Sequence, residues 1–70
     1  MTELQKRMYN AQGKSVKVVF KDGSNIMGYC DFYTQPIDNE PEVAEITIRK
    51  GNASFIGITE DEIGRIEYLE

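Results

Sequence analysis

Apolar residues recur at every second position through two runs that meet at Lys21-Asp22-Gly23-Ser24. Val16, Val18 and Phe20 share one face of the first run, and Ile26, Cys30 and Phe32 share one face of the second. That period of two predicts a β-hairpin spanning Val16 to Tyr33 with one buried side. Asp-Gly is a favoured turn pair because glycine tolerates positive φ. Gly28 interrupts the second face, and a glycine inside a strand marks a bend or a close backbone approach, as a small barrel requires.

Before the hairpin the period changes. Leu4, Met8 and Ala11 recur at helical intervals, Thr2 and Gln5 have capping-box spacing, and Gly13 offers a stop, which predicts a short amphipathic helix over residues 3 to 11. Its stripe is too narrow to hold a helix alone, so it must dock. Beyond the hairpin, Thr34 to Glu42 carries two prolines and three acidic residues and is predicted as a loop or edge segment. Val43 to Arg49 alternates again, with Ala44, Ile46 and Ile48 inward. A turn at Lys50-Gly51-Asn52 leads to a fourth strand, Ser54 to Ile58. Glu60 to Ile63 is predicted as one tight helical turn, acidic side chains outward and Ile63 inward, before a last strand from Gly64 to Leu69. The expectation is a mainly β fold, one helix and five short strands.

Seventy residues make one domain near the lower end of what folds alone, so a partner subunit is expected to complete the core. The net charge of −4 and pI near 4.7 argue against broad electrostatic attraction to nucleic acid. The single cysteine, Cys30, falls on the apolar face and is expected to be a small buried side chain. No apolar run is long enough to span a membrane, and Met1 to Arg7 lacks the apolar core of a secretion signal, so a cytoplasmic location is expected. Histidine is absent, which removes the commonest general base, and Cys30 has no evident catalytic partner; no catalytic residue, cofactor or enzymatic activity is expected. Gly13-Lys14-Ser15 ends like a phosphate-binding loop but has Met8 where the first glycine belongs and precedes a strand. Asp38, Asn39, Glu40 and Glu42 are close oxygen donors without the turn glycine of an EF-hand, and no metal site is assigned.

The chain resembles the Sm and Sm-like (LSm) family over residues 1 to 70. Val16-Lys17-Val18, Lys21-Asp22-Gly23, Ile26-Met27-Gly28 and Tyr33 match its first motif, and Ile58 to Ile66 aligns with the hydrophobic frame of its second. The Asp38 to Glu42 run and the Glu62 to Glu67 ending look like small stand-alone Sm-like proteins of Gram-positive bacteria. The resemblance implies a single Sm-like domain: an N-terminal helix within 1–12, then a five-stranded, strongly bent SH3-like small barrel over 14–70. It also implies a homo-oligomeric ring in which strand four of one subunit pairs with strand five of the next, with Phe55, Ile56, Ile58, Ile66 and Tyr68 at the interface. The family's RNA-contacting loop aligns with Thr34 to Asp38, and its Arg-Gly step is Thr59-Glu60 here.

Two partner classes follow. Single-stranded RNA would be held through Tyr33, Gln35, Asn39, Arg49 and Lys50, with ring symmetry multiplying the two cations at the turn between strands three and four. Alternatively, the acidic residues Asp38, Glu40, Glu42, Glu60, Asp61 and Glu62 favour a basic protein partner and repel phosphate.

Overall fold

The computed structural model describes residues 1–38, 42–51 and 54–69. A helix, α1 (Glu3–Asn10), precedes five antiparallel strands: β1 (Ser15–Phe20), β2 (Asn25–Thr34), β3 (Glu45–Lys50), β4 (Ser54–Thr59) and β5 (Ile63–Tyr68). Single 3-10 turns occupy Pro36–Asp38 and Glu60–Glu62. The mainly β expectation holds. No helix among the described residues is long and apolar enough to cross a membrane.

The capping box forms as its spacing predicts. Gln5 N–H donates to Thr2 Oγ1 at 3.1 Å, and Thr2 N–H donates to Gln5 Oε1 at 3.0 Å. Met8 and Ala11 are fully buried and Leu4 packs against them, so the helix buries the stripe its sequence offers. Tyr68 Oη donates to Arg7 O, and Arg7 lies over the Tyr68 ring, joining α1 to β5. In the β1–β2 turn, Gly23 adopts φ 94°. The Ser24 hydroxyl and its N–H both donate to Asp22, holding that carboxyl below its ordinary pKa.

The sheet order is β4-β3-β2-β1-β5, and it is not closed: β4 and β5 are its two edges. Inward-facing Val16, Val18, Cys30, Ala44, Ile46, Ile48, Ile58, Ile63 and Ile66 form the core with Met8 and Ala11. Gly28 is required by close approach. A Cβ there would lie 2.5 Å from Ile48 Cγ2 and 2.8 Å from the Arg49 carbonyl oxygen.

One expected core residue is outside. Ile26 and Cys30 keep the inward parity, but the β2–β3 register shifts between Cys30 and Phe32, so that Cys30 pairs with Ile48 while Phe32 pairs with Thr47. Asp31 is the extra residue of this bulge, and an extra residue reverses the alternation beyond it. Phe32 therefore points outward, 58% exposed, and Tyr33 takes the inward position beside Ile46.

Candidate functional site

The two sheet edges can be read group by group. Leu69 N–H donates to Ser15 O in continuation of the β1–β5 register. Antiparallel ladders alternate bonded and non-bonded pairs, so Val16–Tyr68 and Val18–Ile66 are non-bonded, and the backbone groups of Ile66 and Tyr68 point away from β1. Arg7 Nη2 donates to Ile66 O at 2.7 Å, as that direction demands. On the opposite edge, Glu60 N–H donates to Ala44 O in continuation of the β3–β4 register, which turns the backbone groups of Phe55 and Gly57 away from β3. Among the described residues, no strand pairs with either row. Ile56 faces inward opposite Ile48, yet it is 39% exposed because no described residue covers the inner face at this edge.

The expected interface residues divide accordingly. Phe55 and Ile56 offer exposed side chains on β4. Ile58 and Ile66 do not, since their parity places both side chains in the chain's own core; Ile66 presents backbone to the open edge and Ile58 is turned to β3. Tyr68 is half-buried under Arg7.

A hollow of about 460 Å³ opens between α1 and the end of β2. Tyr9, Gln12, Phe32, Tyr33, Thr34, Gln35 and Asp38 line it together with Met1. Tyr9 and Tyr33 meet edge to face, centroids 5.7 Å apart and planes at 87°. Gln12 spans the corner: its Oε1 accepts from Tyr33 N–H and its Nε2 donates to Tyr9 O, both at 3.1 Å. Gln35 Nε2 donates to Asp38 Oδ2 at 3.1 Å. Of the expected RNA contacts, Tyr33 and Gln35 thus meet here, and Asn39 lies outside the described residues. Tyr33 is only 8% exposed, so it forms a wall of the hollow and not an open stacking surface. Its buried hydroxyl has no hydrogen-bond partner among the described residues, and burial, then the nearby Glu60 carboxylate, pushes its pKa up.

Arg49 and Lys50 lie elsewhere. The registers align Phe55, Arg49, Tyr29 and Ser15 in one row across four strands on the outer face. The Arg49 guanidinium stands 5.0 Å from the Tyr29 ring centroid and 3.3 Å from Asp31 Oδ1. Lys50 is exposed beside it.

The acidic turn is also more specific than expected. Asp61 and Glu62 are exposed, but Glu60 turns inward. Its carboxylate accepts from Gln5 Nε2 at 3.0 and 3.2 Å and from Ala44 N–H at 2.5 Å, tying α1 to the start of β3. Inward orientation follows because the Ala44 N–H, next to the core, needs an acceptor that the 3-10 turn carries away from the ladder. Cys30 is buried as expected, and burial raises its thiol pKa. Tyr9, Gln12 and Tyr29 are not singled out by the sequence pattern, and Phe32 is assigned by it to the buried face. Tyr9, beside the buried Met8, was the most legible of them; Phe32 depended on a bulge that alternation alone does not reveal.

Comparison with known protein families, curated proteins and solved structures finds no match for this chain.

Proposed function

We propose that this protein is a non-enzymatic Sm-like module, an SH3-like small barrel completed between copies, that forms a homo-oligomeric ring by pairing β4 of one copy with β5 of the next. The observation that carries this reading is the open sheet order, with the backbone groups of Phe55 and Gly57 directed out of one edge and those of Ile66 and Tyr68 out of the other. Unpaired strand edges bind other strands, and head-to-tail pairing of unlike edges closes into a ring when the rotation allows. The uncovered inner face at Ile56 supplies apolar surface for the joint.

In this reading single-stranded RNA is held by the outer row, where Arg49 stands beside Tyr29 and Phe55, with Lys50 at the adjoining end of β3 and the stacking and cations repeated once per copy. Filter binding of short U-rich or A-rich RNA to the assembled protein at low salt tests it. Binding weakened by Arg49→Ala supports the RNA role, and no binding at micromolar protein in a sample shown to be a ring removes it.

A second reading has its own observation. Among the described residues, the hollow beside α1 carries a carboxylate and no lysine or arginine. That side of the barrel suits a basic protein partner better than a polyanion.

A further inference from the structure

We infer that the hollow between α1 and the end of β2 is a receptor for a cationic side chain, an arginine presented by a basic peptide segment. The inference rests on the protein-facing reading above and gives that partner its chemistry.

Three aromatic residues wall the space. Tyr9 and Phe32 are each more than half exposed, and Tyr33 stands perpendicular to Tyr9. Aromatic faces attract organic cations through their quadrupole, and guanidinium groups most often. Among the described residues lining the hollow, Asp38 is the one with a charged side chain, and Gln35 steadies that carboxylate. A planar guanidinium can stack on a ring while donating to a carboxylate, which combines both features of the wall.

The same features disfavour a nucleotide. A base could lie against Tyr9 or Phe32, but its phosphate would meet Asp38, and no lysine or arginine among the described residues lines the site to offset it. The outer row has the opposite character, with Arg49 over the exposed Tyr29 ring. The volume of about 460 Å³ exceeds one side chain and accommodates an arginine with part of its flanking backbone. The bulge at Asp31 is what makes the receptor, since without it Phe32 would face the core and the hollow would lose a wall.

The test is an NMR titration of the full chain with a capped Ala-Arg-Ala peptide, following the amides of Tyr33, Thr34 and Gln35. A matched peptide carrying neutral citrulline, and a short oligouridylate, are titrated in parallel. Saturable shifts are expected with the arginine peptide alone, and Phe32→Ala or Asp38→Asn is expected to weaken its binding about tenfold. Both side chains are exposed, so neither substitution threatens the fold. Arginine-peptide binding that ignores both substitutions but is lost with Asp61→Asn would place the partner on the acidic turn; the protein-facing reading would stand and the receptor would fall. Absence of saturable binding up to about 10 mM peptide would remove both. Oligouridylate binding here that persists in Asp38→Asn would overturn the inference in favour of a nucleobase.

Discussion

Glu60 shows how one residue can hold two elements in place. A carboxylate that accepts from both the Gln5 side chain and the Ala44 N–H cannot be removed without leaving a part-buried backbone donor unpaired. Glu60→Ala is expected to cost about 1–3 kcal/mol and to lower the thermal midpoint by several degrees, measured by circular dichroism. An unchanged midpoint would mean that water replaces the carboxylate freely. Cys30 and Tyr33 make a second prediction. Burial raises both pKa values, so the fold favours their protonated forms. Their contribution is fully present below the unfolded values, 9.0 for the thiol and 10.0 for the phenol, and is lost as pH rises through the raised folded ones. The thermal midpoint should therefore fall progressively once pH exceeds 9.0. A midpoint that stays level through pH 10.0 and beyond would show that neither group is shielded.

At the level of elements, the sequence was most informative where one physical rule acted alone. The Thr2 and Gln5 capping box, the turn at Gly23 and the alternation of Ala44, Ile46 and Ile48 each appear in the structure where the pattern put them. It was least informative where an extra residue or a tertiary contact intervened. The bulge at Asp31 reverses Phe32 and Tyr33, and period-two reasoning carries no term for an inserted residue. Glu60 reads as one of three solvated acids until its neighbours in space are known. The candidate sites were legible only in part for the same reason: Tyr33 and Gln35 share a hollow with Tyr9 and Phe32, whereas Arg49 is drawn to Tyr29 by strand register. The β4 edge yields a direct prediction. The Phe55 N–H points away from β3, so a proline there removes no bond within the sheet while blocking an incoming strand. Phe55→Pro is expected to preserve the circular dichroism spectrum and abolish assembly. A folded variant that still assembles would place the joint elsewhere.

Across the whole molecule, the small core and the open sheet tell one story. Seventy residues bury a layer of aliphatic side chains under one short helix, and the sheet ends in two edges whose outward backbone groups no described strand receives. Arg7 occupies one carbonyl of the β5 edge within the chain, and it would have to release Ile66 O for a neighbouring β4 to bond there. Pairing between copies answers both the edges and the uncovered Ile56 in a single step. Light scattering on the purified chain, across a range of concentrations, tests this most directly. A ring of paired copies is expected to give a solution mass that is a fixed multiple of 8.0 kDa, greater than one. A clean 8.0 kDa monomer at every concentration would contradict it.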